Sequence, residues 1–147
     1  MDETISELIS GVQLTKIRKF CMPEGDVLRG LRTDDQGFDE FAEAYFSFIR
    51  FGVFKGWKRH QRATLNLLVP IGVIDFCLFD DRASSTTFGI KQRIRLSREN
   101  YFRLTVPPLI WVAFTGMSRA ENMLLNISNV LHDPAEADSK PIDHIEF

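Results

Sequence analysis

The stretch from Gly52 to Gly72, GVFKGWKRHQRATLNLLVPIG, constrains the fold more than any other part of the chain. It reads as two β-strands around a short turn, bounded by a glycine at each end. A polar cluster, Lys58-Arg59-His60-Gln61-Arg62, falls where the first strand ends. The rest of the chain repeats this rhythm. Val12–Ile17, Val27–Arg32, Val73–Phe79, Ile90–Leu96, Tyr101–Val106, Leu109–Phe114 and Asn122–Val130 each carry a strand pattern. Between them lie runs of turn formers: Met22-Pro23-Glu24-Gly25-Asp26, Asp34-Asp35-Gln36-Gly37, Asp80 to Ser85, and Ser97 to Asn100. From Phe38 to Phe51 two periods compete. Phe41, Tyr45 and Phe48 suit a helix, whereas Ala44, Phe46 and Phe48 suit one face of a strand. The aromatic content and the following Gly52 favour a strand from about Glu43. Short strands at turn-punctuated intervals predict an all-β barrel or sandwich.

Helix has little room in such a chain. Residues 3–10 place Ile5, Leu8 and Ile9 on one side of one or two helical turns. Asp133-Pro134-Ala135-Glu136 reads as a second start, with Asp133 as cap and Pro134 at the first helical position. A length of 147 residues fits one domain with a real core. The 13 phenylalanines fall mostly in the short alternating runs that line such a core. A net charge of −2 gives no field for nucleic acid, so no nucleic-acid partner is expected. The acidic opening MDETISELIS lacks the apolar run of a signal peptide, and no stretch approaches the ~20 apolar residues of a membrane helix. Cys21 and Cys77 lack metal-type spacing and read as a buried, reduced pair, so the expected setting is cytoplasmic.

The spacing inside the opening stretch carries a first resemblance. Gly52, Lys58, His60, Leu65 and Gly72 stand at the intervals of the first cupin motif, G-x5-H-x-H-x4-E-x6-G, with lysine for its first histidine and leucine for its glutamate. Tyr101, Pro107, Leu109, Val112 and Gly116 keep the intervals of the second motif, G-x5-P-x-G-x2-H-x3-N, with only the proline retained. The resemblance implies a cupin-type double-stranded β-helix, or jelly roll, with short terminal helical turns. It would span residues 1–147 as one domain: an N-terminal arm about 1–20, a barrel about 25–132, and a short C-terminal helix and tail 133–147. The usual metal-ligand positions read Lys58, His60, Leu65 and Val112. One histidine is too few for a site that typically needs about three or four ligands. No metal and no other cofactor are therefore expected.

A second resemblance is closer. Leu96-Ser97-Arg98-Glu99-Asn100, Pro107 to Phe114, Asp80-Asp81-Arg82 with Thr86-Thr87-Phe88-Gly89, and Val53 to Lys58 resemble segments of the dTDP-4-dehydrorhamnose 3,5-epimerases. The matching family patterns are LS-x-EN, IP-x-GFAHGF, D-x-R…SPTFG and V-x-RGLH. The runs WKRH…TLNL-x-VP-x-G, NY-x-RLTVPP and LN-x-x-N-x-x-HDP-x-EA are similar to a divergent, epimerase-like branch. The resemblance covers roughly residues 25–140 and implies proton abstraction next to a 4-keto group, with a protonating tyrosine on the opposite side. Here the family's catalytic histidine maps onto Lys58, its second histidine onto Val112 and its tyrosine onto Asn126. The segment that supplies the histidine with an aspartate has no counterpart in this reading.

Lys58 and His60 share a parity on one strand, so both are expected to face the barrel interior. They are the candidate catalytic residues, with Lys58 as a base made neutral by burial and cationic neighbours. Solvated charges at a barrel mouth, or ligands for a phosphate, are the competing roles. Arg50, Lys55, Lys58, Arg59, His60 and Arg62 concentrate positive charge within 13 residues that hold no acidic one. That suits a nucleoside diphosphate, with Arg59 and Arg62 as its ligands. Tyr45 is a candidate to stack on base or sugar, as are Trp57 and Trp111, although core packing suits all three. Asn126 is a candidate to bond a sugar hydroxyl or carbonyl. The resemblance implies a metal-independent epimerase or isomerase of a nucleotide-linked 4-keto-6-deoxy sugar, in polysaccharide or deoxysugar synthesis. A silent sugar-nucleotide-binding cupin and a 3,4-ketoisomerase stay open beside it. A homodimer is expected, with Val12–Ile17 as a strand available for exchange.

Overall fold

A computed structural model describes residues 8–145. The strands among them are β1 (Gln13–Lys16), β2 (Lys19–Phe20), β3 (Val27–Leu28), β4 (Glu43–Phe48), β5 (Phe54–His60) and β6 (Leu65–Ile71). They continue with β7 (Val73–Phe79), β8 (Lys91–Ser97), β9 (Phe102–Val106), β10 (Trp111–Gly116), β11 (Met123–Ser128) and β12 (Ala137–Ser139). One sheet runs β1-β9-β6-β11-β4 and the other β12-β5-β10-β7-β8, while β2 and β3 form a small ribbon. All pairings between these strands are antiparallel. The fold is the all-β jelly roll that the spacing predicts. Gly72 lets β6 turn directly into β7: its φ is +79°, and a side chain there would collide with the Glu121 carbonyl.

Alternation decides what meets between the sheets. Leu67 and Leu104 come from one sheet and Ile74, Phe76 and Leu78 from the other, all at 2% exposure or less. Each such side chain contributes roughly 1.5–3 kcal/mol by leaving water. The run Val73–Phe79 is apolar on both faces because both are covered. Its outward Cys77 lies beneath a second cluster of Trp57, Trp111, Ala113 and Ile145.

Several predicted elements change on folding. The expected strand Val27–Arg32 shrinks to Val27–Leu28, because the residues that follow clamp onto the outer face of the first sheet instead of joining a ladder. There the fully buried Arg103 donates to the carbonyls of Gly30 and Gln36 and to the Asp35 carboxylate, while Tyr101 donates to the carbonyl of Arg29. Beyond Asp133 the expected helix is a single 3-10 turn, Pro134–Glu136, with the Asp133 carboxylate accepting from Ala135 N–H. It leads into β12, which the sequence reading does not anticipate. Of the helical turns expected over 3–10, residues 3–7 lie outside the described residues. Residues 9–12 form a turn closed by Val12 N–H on the Ile9 carbonyl. β1 pairs with β9 of its own chain, so the strand expected to be available for exchange is engaged here. Cys21 is exposed rather than buried, since it follows the small β2–β3 ribbon into its loop. No helix among the described residues is long and apolar enough to cross a membrane.

The loop after β7 explains the Asp80-Asp81-Arg82 motif. Asp80 is fully buried and accepts from the Arg82 guanidinium and backbone N–H, from Ser85 and from Thr87. Burial alone would raise its carboxyl. Those donors outweigh burial and hold it well below the ordinary aspartate range. The motif is therefore a loop-folding device.

Candidate active site

A cavity of about 440 Å³ opens between the two sheets, within the range of small-molecule sites. Leu65, Leu67, Val112, Phe114 and Leu124 give it an apolar lining. Its polar groups include Glu43 and Tyr45 from β4, Lys55, Lys58 and His60 from β5, Asn126 from β11, and Asp133 and Glu136 at the C-terminal turn.

β5 reaches the cavity with three basic residues because it is bulged. Val112 pairs with Lys58 and Phe114 with Lys55, so Ala113 alone faces both Gly56 and Trp57. The extra residue resets the alternation and brings Lys55 to the same wall as Lys58 and His60. Gly56 is required there, since a Cβ would collide with Ala113.

His60, two residues beyond the position onto which the family's catalytic histidine maps, has a carboxylate partner that the sequence reading does not anticipate. Glu136 arrives 76 residues later, and its Oε1 lies 2.7 Å from His60 Nδ1. Its Oε2 accepts the N–H groups of Arg62 and Ala63 at 2.8 and 3.1 Å. The side chain is 4% exposed, and burial pushes its carboxyl up; the Arg62 N–H, His60 and the Ala63 N–H together bring it below the ordinary value. An ionised carboxylate can only accept, so Nδ1 donates, and the neutral form of the imidazole carries its lone pair on Nε2. That is the tautomer of a general base.

Tyr45 and Asn126 are cross-strand partners, and Asn126 donates to the phenol oxygen at 2.9 Å. A phenol therefore occupies the neighbourhood of position 126 after all, supplied by β4 rather than β11. Burial first, and then the Glu43 carboxylate, raise Tyr45 above its ordinary value despite that hydrogen bond. Protonated at neutral pH, the phenol accepts from Asn126 and keeps its own proton to donate. Asn126 lines the cavity, and its Oδ1 is buried with no partner among the described residues.

Of the other expected site residues, Lys58 lines the cavity but stays exposed, so the burial its role as a base requires is lacking. Arg59 is on the wrong face. It points away from the cavity, stacks over Trp111 at 4.6 Å, and is held by Asp81 and Asp138. Arg62 lies beyond the end of β5 with its side chain 65% exposed and outside the lining; its contribution to the site is its backbone N–H. Trp57 and Trp111 pack on the outer face of the second sheet, as core residues. Among the described residues, no group of three or more His, Cys, Asp or Glu side chains is arranged to hold a metal. The sequence reading misses Glu136 and gives Tyr45 a stacking role, though each carries a signal. Glu136 is an acidic residue two places after a capped Pro134, and Tyr45 has the inward parity of β4.

No protein-family model matches the chain. Among solved structures, a dTDP sugar isomerase from Desulfovibrio desulfuricans G20 is 34% identical, with a TM-score of 0.89 over 92% of this chain and 87% of the other. NovW, a 4-keto-6-deoxy sugar epimerase from the novobiocin cluster of Streptomyces spheroides, superposes with a TM-score of 0.84 at 20% identity, over 95% of this chain and 73% of its own. A probable low-salt glycan biosynthesis epimerase of Haloferax volcanii, Agl13, is 24% identical over 138 residues, 92% of this chain and 88% of that protein.

Proposed function

We propose a reaction from one premise: the chain belongs to the dTDP-4-dehydrorhamnose 3,5-epimerase-like family of dTDP-sugar isomerases. It epimerises a 4-keto-6-deoxy sugar carried on a nucleoside diphosphate, with dTDP as the carrier. The observation that carries this reading is the pair formed by His60 and buried Glu136, facing a cavity that also holds Tyr45.

His60 Nε2 takes the proton from a carbon next to the ketone. The electron pair of that C–H bond moves into the new C=C bond, and the carbonyl oxygen becomes an enolate. The ammonium groups of Lys55 and Lys58 put positive charge on the same wall for the enolate oxygen and the diphosphate. Tyr45 then gives its O–H proton to the carbon from β4, which belongs to the facing sheet. Solvent restores the phenol and removes the proton from the imidazolium. Base and acid on opposite walls favour inversion over a same-face shift, so epimerisation is preferred to 3,4-ketoisomerisation. The reaction in this form needs no metal.

The test is incubation of the enzyme with dTDP-4-keto-6-deoxyglucose in D₂O. Deuterium should enter next to the ketone and the epimer should accumulate, both followed by NMR. Binding of dTDP without any exchange would replace this reading with a silent binder. Glycan or deoxysugar synthesis is the setting, as in the Haloferax volcanii relative. The free thiols Cys21 and Cys77, the first of them exposed, fit a reducing cytoplasm.

We also take the chain to be a homodimer. β4 is an edge strand, and Phe46 and Phe48 on its outward face are 61% and 57% exposed, a patch that a second copy would cover. Light scattering should give twice the chain mass, and Phe46→Asp should halve it. A monomeric wild type would refute the dimer.

A further inference from the structure

The carboxylate that orients His60 arrives on a short tether. β12 is three residues long and sits at the sheet edge, pairing Ala137, Asp138 and Ser139 with His60, Arg59 and Lys58. A backbone bond from Gln61 N–H to the Glu136 carbonyl and a reciprocal pair between Trp57 and Lys140 extend this ladder by one residue at each end. It is still a short edge pairing, and a slip of one residue would carry the Glu136 side chain away from His60. On the side of β5 away from the cavity, Arg59 supplies what the ladder lacks. Its Nε and Nη2 donate to Asp138 Oδ2 at 3.1 and 2.9 Å, and its Nη1 donates to both oxygens of Asp81 at 3.1 and 3.2 Å. Asp81 is fixed in turn by Trp111 Nε1 at 2.8 Å, and the guanidinium carbon lies over that indole, 4.6 Å from the ring centre. Gln61 adds a second donor to Asp138.

We infer that Arg59 is a positioning residue for the base: it locks β12 in register through Asp138 and so keeps the Glu136 carboxylate on His60 Nδ1. The inference rests on the reading of His60 and Glu136 given above. Lysine cannot substitute, since a point charge does not span two carboxylates on different elements as the planar fork does.

The test compares Arg59→Met, Asp138→Asn and Glu136→Gln in the full-length protein, with two readouts. The first needs no substrate: the ¹⁵N shifts of His60 report which ring nitrogen carries the proton. In the wild type Nδ1 should be protonated, and in Arg59→Met the two tautomers should mix. The second is turnover of dTDP-4-keto-6-deoxyglucose. Arg59→Met should lower kcat by about tenfold, a coupling typical of residues in one network, with KM unchanged because Arg59 does not line the cavity. Combined with Glu136→Gln it should lower kcat no further than Glu136→Gln alone, whereas a merely structural role would add its own loss. Asp138→Asn, at a half-buried position, should show the same changes more weakly and decides the matter if Arg59→Met does not fold. Unchanged tautomer and kcat in these variants, while Glu136→Gln is inactive, overturn the positioning role and leave the base standing. Full activity of Glu136→Gln overturns the base itself.

Discussion

On its outward side β5 presents Phe54, Trp57 and Arg59; on its inward side, past the Gly56 bulge, it presents Lys55, Lys58 and His60. The outward residues have their partners within the fold. Trp57 is fully buried and exchanges backbone hydrogen bonds with Lys140, and Arg59 is held by two carboxylates and an indole. The inward side is different. Among the described residues Lys55 and Lys58 have no ion pair, and the His60 ring is bonded only through Nδ1. Seven consecutive residues thus hold an architectural cation and a functional set. Composition does not separate them; what separates them is whether the fold satisfies the charge or leaves it facing a cavity.

Substitutions on the two sides should therefore fail in different ways. The largest effect is expected at His60. His60→Asn should lower kcat by roughly 10³-fold and abolish deuterium exchange, with dTDP affinity kept within a few-fold, as removal of a general base requires. Calorimetry with dTDP beside the exchange assay checks this, and loss of affinity in step with kcat would make His60 a binding residue instead.

Next is Trp57→Ala, directly behind that wall. Removing a fully buried indole should cost about 3–5 kcal/mol of stability, read by urea denaturation, while kcat per folded molecule changes little. A large kcat loss in protein that remains folded would erase the distinction between the sides.

Asp80→Asn comes third and tests a charge satisfied entirely by the fold. Its folded-state pKa lies below the unfolded value of about 3.9, so its contribution is complete above that pH and is lost as pH falls toward the depressed value. The variant should be about 2 kcal/mol less stable at pH 7, and the gap to wild type should narrow below about pH 4. A gap independent of pH would mean that shape, and not charge, matters there.

Lys58→Met should have the smallest effect. An exposed ammonium is worth about tenfold or less in nucleotide affinity, with deuterium exchange persisting at saturation. If exchange stops instead, Lys58 and not His60 is the base.

Most of the strands were legible because their alternation is local. β7, at Val73–Phe79, even shows its two-sided burial in its apolar run. The parity of Lys58 and His60 was enough to bring both to the cavity. The same rule misses Lys55, since a bulge breaks alternation without leaving a mark stronger than one glycine. The phenylalanine face Ala44-Phe46-Phe48 reads as core from composition, but it is the outward face of an edge strand, and the inward set is Glu43, Tyr45 and Ser47. Tyr45 and Asn126 are 81 residues apart and meet only through strand pairing, so neither predicts the other. Glu136 was hidden for a similar reason: its turn is recognisable from Asp133 and Pro134, but its destination depends on β12, too short to carry a pattern of its own.

The lateness of Glu136 has a consequence for the order in which the protein gains its abilities. Synthesis runs from the N-terminus, and both five-stranded sheets, apart from β12, are encoded before residue 134. In chain order the strands of the barrel, its apolar lining, Tyr45, Asn126 and the lysines of β5 all precede the carboxylate beside the imidazole. On the reading proposed above, the group that orients the base is thus encoded after every other part of the site, in the short segment that follows β11.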